Sequence, residues 1–293
     1  RGWRMLLPMD RIDRQSPQDF ARWGRDFGAA LGLRLELAHQ PVLPRTDSLT
    51  LVSRREYGER VQAPTAILRF ALPPRSLWQR LTGRGFRFAA GDLLGILPEG
   101  SAVPRFYSLA SGSGDGFAEI AVRKHPGGLC SGQLMALQPG EPMRAFLRPN
   151  PDFRPGRDRA PLILIGAGTG VGPLAGFIRA NLARRPMHLW FGIRHPDSDF
   201  LYGAELARWT DDGRLDSLST ACSRTASRAH VQDALRRDGE KLRVLIEEGA
   251  RIMVCGGRDM AAGVTAALAD ILAPAGLTPA MLKAEGRYAE DVY

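Results

Sequence analysis

The stretch PLILIGAGTGVGP, residues 161–173, decides the fold of this chain. An apolar run leads into a turn that is rich in glycine, and a helix-like segment follows. Glycines at such a turn let the backbone approach a pyrophosphate, whose charge is favourable at a helix N-terminus. In either register Val171 or Pro173 replaces the last glycine of the strict G-x-G-x-x-G pattern, so a tight turn without a ligand is the alternative.

Apolar runs and helical runs alternate from this turn towards the end of the sequence. The strand-like runs are PLILIGAG, MHLWFGIR, SLSTACS and RIMVCGG. The helical runs between them are PLAGFIRANLARR, AHVQDALRRDG with KLRVLIEEG, and MAAGVTAALADILA. This alternation is typical of a doubly wound α/β sheet with parallel strands. We predict such a domain for residues 156–293.

Residues 35–155 show a different pattern. Short β-rich runs such as SLTLVSR, TAILRFAL, DLLGILP and AEIAVRKH are separated by Gly and Pro turns, and one short helix is expected around SGQLMAL. Short strands with frequent turns are typical of an antiparallel barrel. The predicted fold class is therefore two-domain, with an antiparallel β-barrel followed by a doubly wound α/β domain.

The first 34 residues are too few to form a domain, although they contain a helix pattern. Ser16 is expected as the N-cap and Pro17 as the first helical residue, and Gly32 would end the helix. Apolar side chains recur at spacings of three and four, at Phe20, Trp23, Phe27 and Leu31. We expect residues 1–34 to be the remnant of a preceding domain in a longer protein.

The composition is that of an ordinary globular protein, with 44% hydrophobic and 24% charged residues. No run reaches the ~18 apolar residues of a membrane span. The net charge is +9 and the basic residues are mostly arginine; this excess suits phosphate recognition, but a GC-rich genome produces it as well. Scattered arginines without interleaved aromatics disfavour nucleic-acid binding. Three cysteines without a C-x-x-C pair indicate neither a disulfide framework nor a zinc site, and a reducing compartment is expected.

The ends of the second and third apolar strands bear on the choice of dinucleotide. The second strand ends at Arg194 and offers no acidic residue for a ribose 2′-hydroxyl, which argues against NAD. After the third strand, cations and hydrogen-bond donors stand close together, at Ser223, Arg224, Arg228, His230 and Gln232. Such a group could bind the 2′-phosphate of NADPH. A solvated arginine-rich loop is the alternative.

Other segments carry further candidate residues. In PRFYSLAS, alternation along a strand places Arg105 and Tyr107 on one face and Ser108 on the other. PGGLCSGQL forms a glycine-rich turn into a short helix, and Cys255 follows a strand at the edge where open α/β sheets bind ligands. The last candidates are Asp291 and Tyr293. Each of these residues also has an ordinary packing explanation.

Together these stretches resemble the ferredoxin–NADP reductase superfamily, most closely the FAD/NADPH-binding half of the diflavin reductases. That group includes NADPH haemoprotein reductase and the sulfite reductase flavoprotein. The similar motifs run from about residue 35 to residue 293 in family order: PRFYS, GGLCSGQL, GAGTGVGP, FGIRHPDSDFLYGAEL, CSRTASRAHVQ, VCGG and GRYAEDVY. Seven ordered motifs are far more specific than any one of them.

The resemblance implies a role for each candidate. Arg105 would bind the FAD pyrophosphate, Tyr107 would stack on the isoalloxazine ring, and Ser108 would reach its N5 side. The FAD phosphates would be held by Gly128, Cys130 and Ser131. The NADPH pyrophosphate would be held by Gly166, Gly168, Thr169 and Gly170. The 2′-phosphate would be bound by Ser223, Arg224, Arg228 and Gln232, with His230 beside them.

The resemblance also implies a hydride-transfer cluster of Ser108, Cys255 and Asp291 beside the nicotinamide. Tyr293 would lie flat on the flavin ring, and a flexible chain end would let it swing aside. The sequence departs from the family at several points. Only SAVP stands where the diflavin members have a helical insertion, and VCGGRDM is one residue short, with Gly257 in place of an acid. His230 replaces a tyrosine and Tyr293 a tryptophan.

The function implied is that of an FAD-dependent reductase that takes hydride from NADPH and passes electrons to FMN or another one-electron carrier. The FMN would bind in a missing flavodoxin-like upstream domain, and a haemoprotein or an iron–sulfur protein is the other expected partner. The expected location is the cytoplasm, with a tether to the cytoplasmic face of the membrane through a missing N-terminal region. The alternatives are a free-standing NADPH–flavodoxin or ferredoxin reductase, and a flavin-free docking module of the same fold.

Overall fold

A computed structural model describes residues 5–10, 17–38, 44–73, 86–156 and 158–293. Its first helix, α1, spans Pro17–Ala30, as the apolar spacing predicts. This helix packs on the segment that follows it, where a Cβ at Gly24 would lie 2.9 Å from the side chain of Leu37. The predicted N-cap, Ser16, lies outside the described residues.

Six strands form an antiparallel sheet. They are β1 (Asp47–Tyr57), β2 (Thr65–Ala71), β3 (Leu93–Ile96), β4 (Arg105–Ser108), β5 (Phe117–Arg123) and β6 (Pro142–Arg148). Their order is β4-β3-β6-β1-β2-β5, and the two outermost strands approach each other again at a bridge between Leu109 and Ile120. Alternate side chains fill a core that helix α2 (Leu129–Ala136) covers with Leu134. The predicted strands and short helix are confirmed, and β6 is an addition to them.

Five further strands form a parallel sheet. They are β7 (Leu162–Ala167), β8 (Met187–Ile193), β9 (Ser217–Cys222), β10 (Arg251–Gly256) and β11 (Tyr288–Val292). Their order is β11-β10-β7-β8-β9, and every pairing is parallel. From β7 the chain adds β8 and β9 on one side, and it then adds β10 and β11 on the other side of β7. The gap between the ends of β7 and β10 is a topological switch point, where such sheets bind ligands.

Helices cover both faces of the parallel sheet. They are α3 (Val171–Arg179), α4 (Pro196–Asp199), α5 (Gly203–Asp211), α6 (Val231–Arg237), α7 (Gly239–Glu247), α8 (Arg258–Leu272) and α9 (Pro279–Ala284). In β7, Leu162 and Leu164 pack in one core with α3 and α5, whereas Ile163 and Ile165 pack in another with α6, α7 and α8. The doubly wound arrangement is therefore as predicted. The helix after the glycine turn is shorter than predicted, because the chain turns after Arg179.

Strand β11 ends at Val292, so Asp291 lies within the strand and Tyr293 follows it. Strand β11 pairs in register with β10 along its whole length, and Tyr288 and Ala289 are buried. The amide of Tyr293 donates to the carbonyl of Gly256, 3.2 Å away. Ladder hydrogen bonds and buried side chains fix this segment.

A buried carboxylate joins the antiparallel and parallel parts of the molecule. Glu119 of β5 is fully buried, and its Oε2 accepts hydrogen bonds of 3.0 and 2.8 Å from Arg69 of β2. Its Oε1 accepts one of 2.6 Å from Arg179, at the end of α3. Beside this junction a Cβ at Gly176 would lie 2.6 Å from the Cβ of Ala90. Helix α3 therefore packs closely against the antiparallel sheet.

We expect Arg179→Met to lower the free energy of unfolding by about 3–5 kcal/mol, because it leaves the buried Glu119 carboxylate with one cation in place of two. The matched control is Arg236→Met, which breaks an ion pair with Asp270 whose side chains are 44% and 66% exposed. That change should cost less than about 1 kcal/mol. Urea unfolding measures both. Similar losses in the two variants would contradict a junction at Glu119.

Candidate active site

A cleft of about 1240 Å³ lies between the two sheets. From the antiparallel side it is lined by the predicted residues Arg105, Tyr107, Ser108, Gly128, Cys130 and Ser131. From the parallel side it is lined by the predicted residues Gly168, Thr169, Ser223, His230, Gln232, Cys255, Asp291 and Tyr293. Four other predicted residues are not part of its lining, namely Gly166, Gly170, Arg224 and Arg228. The structure therefore brings most of the candidates to one site.

The glycine turn after β7 packs directly against the end of β10. A Cβ at Gly170 would lie 2.1 Å from the carbonyl oxygen of Cys255, so no other residue fits there. Gly168 has a φ of +55°, in the left-handed region that favours glycine. Val171 stands where the strict pattern has its last glycine. It is the first residue of α3, and its side chain is fully buried, so a side chain at this position packs into the core.

Ser108, Asp291 and Cys255 meet at the junction of the two sheets. Parallel pairing sets Cys255 of β10 opposite Asp291 of β11, and Ser108 is the last residue of β4. The Ser108 hydroxyl donates a hydrogen bond to Oδ2 of Asp291. The Sγ of Cys255 lies 4.0 Å from the same oxygen. Three strands from two sheets thus supply the cluster that the resemblance implied.

Burial controls the ionisation of this cluster. It raises the pKa of the Asp291 carboxyl, and the hydrogen bond from Ser108 opposes that rise in part. Burial raises the pKa of the Cys255 thiol well above its ordinary value, and the charge of Asp291 acts in the same direction. The thiol is therefore a neutral group. Within the described chain Asp291 forms no ion pair, so it is a carboxylate beside which positive charge can develop favourably.

Arg105 and Tyr107 stand two residues apart on β4 and so share one face of the strand. The guanidinium of Arg105 reaches the backbone carbonyls of Val103 and Pro104, at 3.4 and 3.3 Å. No carboxylate pairs with it in the part of the chain that the structure describes. The Tyr107 hydroxyl donates to the Sγ of Cys130, 3.5 Å away. This strand therefore presents an available cation and an aromatic ring to the cleft.

The turn before α2 uses its serine hydroxyl internally. Oγ of Ser131 accepts from the amide of His125 at 3.1 Å and donates to the carbonyl of Gly128 at 3.3 Å. Cys130 is buried beneath the turn, and that burial raises the pKa of its thiol. A ligand at this turn would therefore meet main-chain groups and the exposed His125 rather than the Ser131 hydroxyl.

Tyr293 connects the end of β11 to the glycine turn. Its hydroxyl forms a hydrogen bond of 2.6 Å with the hydroxyl of Thr169. More than half of the residue, 56%, stays exposed to solvent within the cleft. The hydroxyl is thus held at the glycine turn while much of the residue remains exposed to solvent.

The candidates for a 2′-phosphate are only partly assembled. The guanidinium of Arg224 donates to the carbonyl of Val61 at 2.9 Å, in the turn between β1 and β2. Arg228 is exposed outside the cleft. Ser223, His230 and Gln232 do line it. A phosphate bound there would have to draw the two arginines towards it.

Sequence reasoning missed several charged residues of the cleft. They are Arg123, Arg194, Asp199, Arg258 and Asp259. Arg194 follows the parallel strand β8, whose C-terminal end reaches the cleft. A charged residue at the end of a strand, on the edge where ligands bind, was the available signal.

Comparison with known proteins agrees with this geometry. Residues 164–266 match the family described as an oxidoreductase NAD-binding domain. The sulfite reductase (NADPH) flavoprotein alpha-component of Salmonella paratyphi A is 33% identical over 229 residues, which cover 70% of this chain and 38% of that protein. The same component of Photorhabdus laumondii subsp. laumondii is 35% identical over 215 residues, 65% of this chain and 36% of that protein.

An antiparallel sheet joined to a parallel sheet, with a glycine turn at the switch point, defines a dinucleotide-binding oxidoreductase fold. With the matches to the family and to the flavoprotein component, the chain belongs to the ferredoxin–NADP reductase superfamily, in its diflavin-reductase-like branch. The chain spans about 38% of the length of the curated relatives that it matches.

Two further observations concern the described residues alone. None of their helices is both long enough and apolar enough to cross a lipid bilayer. Their His, Cys, Asp and Glu side chains form no group of three that could hold a metal ion.

The raised pKa of Asp291 predicts a pH-dependent effect of Asp291→Asn. A carboxyl whose pKa is higher in the folded protein than its ordinary value near 3.9 contributes stability at low pH that is lost as the pH rises through the raised pKa. Asparagine does not titrate, so the variant loses no stability at this position over that pH range. The free energy of unfolding of the variant, relative to the unmodified chain, should therefore increase as the pH rises from about 4 through the raised pKa of Asp291.

Ser108→Ala provides the second arm of this measurement. It removes the hydrogen bond that lowers the pKa of Asp291, so the loss of stability should move to higher pH. Urea titrations at a series of pH values measure both effects. A difference between Asp291→Asn and the unmodified chain that stays constant with pH would show that the carboxyl is not shifted by burial.

Proposed function

We propose that this chain is the FAD- and NADPH-binding part of a flavoprotein reductase. It takes hydride from NADPH onto FAD and passes electrons, one at a time, to FMN or another one-electron carrier. The observation that carries the proposal is the cluster of Ser108, Cys255 and Asp291, which forms only where the two sheets meet. A cleft assembled from both sheets around such a cluster suits two cofactors that must touch.

The residues on the antiparallel side suit FAD. Arg105 has no carboxylate partner among the described residues, so it is available to a pyrophosphate. Tyr107 stands on the same face of β4 and offers a ring for stacking. The turn at Gly128, Cys130 and Ser131 is compact, since a Cβ at Gly128 would lie 2.6 Å from the Ser131 hydroxyl oxygen. That packing leaves its main chain close to the cleft.

The residues on the parallel side suit NADPH. At the glycine turn, Gly168 and Thr169 line the cleft, whereas Gly166 and Gly170 pack the turn against α3 and β10. Gly168 has a positive φ, and the main chain of this turn leads into the N-terminus of α3, which suits a pyrophosphate. Beyond it, Ser223, His230 and Gln232 line the cleft, with Arg224 and Arg228 nearby. Strand β8 is followed directly by Arg194, and the carboxylate of Asp199 in the same loop is engaged by the backbone amides of Arg194 and His195. A cation at the strand end fits a phosphate, rather than a hydroxyl, on the 2′ position.

When bound, the flavin supplies the hydride acceptor and the means of releasing electrons singly. The protein supplies the relative position of the two cofactors. Cys255 and Ser108 present a neutral thiol and a hydroxyl to the reacting edge, where near-contact and alignment govern the rate. The Asp291 carboxylate stabilises positive charge that develops on the nicotinamide beside it.

The domains and partners follow the same proposal. Residues 35–155 form the FAD domain and residues 156–293 the NADP domain. Residues 1–34, with helix α1, are the end of a flavodoxin-like domain that binds FMN. The sulfite reductase (NADPH) flavoprotein components named above supply the analogy for a haemoprotein as final acceptor. The proposed location is the cytoplasm.

Absorbance tests the proposal directly. The purified chain should bind FAD and show the visible flavin band, and NADPH should bleach that band in the absence of oxygen. No flavin absorbance, even after FAD is added, would leave only a docking module of this fold. Adding a flavodoxin or a ferredoxin as the electron acceptor tests the alternative of a free-standing reductase. A free-standing reductase reduces the added acceptor rapidly, whereas a chain that needs its own FMN domain does not.

Arg224→Ala should weaken NADPH binding by about 1.5–3 kcal/mol and leave NADH binding almost unchanged, because a charge-assisted contact to the 2′-phosphate is lost. Titration of each dinucleotide into the FAD-loaded chain measures the two affinities. NADH is the internal control, since it has the same pyrophosphate and nicotinamide. An equal loss for both dinucleotides would refute a role at the 2′-phosphate.

Tyr293→Ala should raise the use of NADH relative to NADPH and slow product release, because the aromatic competitor for the nicotinamide position is removed. Tyr293→Phe is the matched variant: it keeps the ring and loses the hydrogen bond to Thr169. Steady-state rates with the two dinucleotides and stopped-flow release of the oxidised dinucleotide measure the effects. An unchanged NADPH preference in Tyr293→Ala would contradict the proposed place of the ring.

A further inference from the structure

A second cavity, of about 490 Å³, lies between the antiparallel sheet and helix α5. It shares no lining residue with the cleft of the candidate active site. The sheet supplies Ser53, Arg55 and Arg69 to its wall, and α5 supplies Glu205 and Arg208. A cavity of this volume is large enough for a small molecule.

The strand register fixes the charged groups on the sheet side of this cavity. Ser53 pairs with Arg69, and Arg69 pairs with Glu119, so these three residues form one cross-strand row. Arg55 pairs with Ile67 in the next row on the same face. Arg55 and Arg69 are therefore diagonal neighbours, roughly 7–8 Å apart at the backbone. This wall carries two separate guanidinium groups with an aliphatic side chain beside them.

Arg55 and Glu205 form an ion pair across the cavity that uses only one end of each side chain. Nη1 of Arg55 lies 2.6 Å from Oε1 of Glu205. The other ends, Nη2 of Arg55 and Oε2 of Glu205, are buried and have no hydrogen-bond partner among the described residues. An unpaired buried group on a charged side chain is costly. A molecule that satisfies both ends must offer an acceptor to Arg55 and a donor to Glu205.

The charges around the cavity do not balance. Glu119 accepts hydrogen bonds from two arginines, and the pair of Arg55 with Glu205 is neutral. Arg208 is exposed at the cavity, and no carboxylate in the described ranges of the chain forms an ion pair with it. Two positive charges are thus left without a counter-charge. A ligand with two negative charges would compensate them.

We infer that this cavity binds a small dicarboxylic acid that carries a hydroxyl group. One carboxylate accepts from Nη2 of Arg55, and the hydroxyl donates to Oε2 of Glu205. The other carboxylate meets Arg69 and Arg208, which lie on opposite walls. Ile67 contacts the short carbon chain between them. Inorganic phosphate offers charge and donors at a single centre, and it has no carbon chain to place against Ile67.

L-Malate and succinate are the probes, because they share two carboxylates and only malate has the hydroxyl. Calorimetric titration of each into the whole chain, with FAD added, gives two affinities per variant. Malate should bind the unmodified chain roughly 10-fold tighter than succinate, which leaves the Glu205 oxygen unpaired. Saturating NADP⁺ should leave the affinity for malate unchanged, because the two cavities have no residue in common.

Two variants test the site, and a third is the matched control. Arg55→Lys keeps the charge beside Glu205 and loses the fork, so both probes should bind roughly 10- to 100-fold more weakly. Arg208→Gln changes only an exposed side chain, and it should weaken both probes roughly 3- to 10-fold. Arg236→Gln removes the same charge from an exposed helix residue that lines neither cavity, and it should change neither affinity.

Each outcome decides for or against the inference. Binding of neither probe to the unmodified chain would overturn it, as would equal affinities for malate and succinate. Phosphate or sulfate that binds as tightly as malate would show a site for any oxyanion instead. Competition between malate and NADP⁺ would place malate in the cleft. If Arg208→Gln binds both probes as Arg236→Gln does, this cavity is not their site.

The inference does not depend on the proposed function. Its residues lie outside the cleft, so a chain that failed to bind FAD or NADP⁺ could still bind malate. That result would contradict the reductase proposal and support the site for a hydroxy dicarboxylic acid. The reverse result, with both cofactors bound and malate not bound, would contradict this inference alone.

Discussion

The buried carboxylate of Glu119 is the constraint on which the rest of the structure depends. It lies on the antiparallel sheet and takes hydrogen bonds from Arg69 on that sheet and from Arg179 on the parallel side. A buried charge requires both partners in fixed geometry, since desolvation is offset only by well-formed contacts. Helix α3, which begins at the glycine turn, ends at Arg179. The same helix therefore carries the turn at one end and the junction at the other.

This arrangement sets the positions of Ser108, Cys255 and Asp291 relative to one another, although they come from three strands. Cys255 and Asp291 are set opposite each other by the register of β10 and β11, which ladder hydrogen bonds fix. Ser108 reaches them only if the antiparallel sheet has the right position and angle. The core beneath the cleft is continuous across both sheets, with Ala110 and Phe153 packed among residues of α3. Close packing transmits the position of one sheet to the other.

Much of the fold could be predicted from local patterns, because strand and helix periods and glycine turns are local properties. The five-residue β11 and strand β6 were harder, since EDV and RAFLR are mixed in polarity and gain their order from long-range pairing. For the site, the motif residues lining the cleft could be named from the resemblance. Arg123 could not, because it lies beside Gly168, which is 45 positions along the chain on the other sheet. The hydrogen bond from Arg224 to the carbonyl of Val61 likewise could not be predicted, because it joins residues that are far apart in the sequence.

The close approach of Gly170 to the carbonyl of Cys255 has a consequence for protein engineering. A side chain at position 170 would push the end of β10, and through the paired strands it would move Asp291 relative to Ser108. The glycine turn and the strand that carries Cys255 are thus one steric unit. Directed evolution of dinucleotide preference has little freedom at this turn, and its useful variation lies at the ends of β8 and β9, where a side chain can change without displacing the cluster.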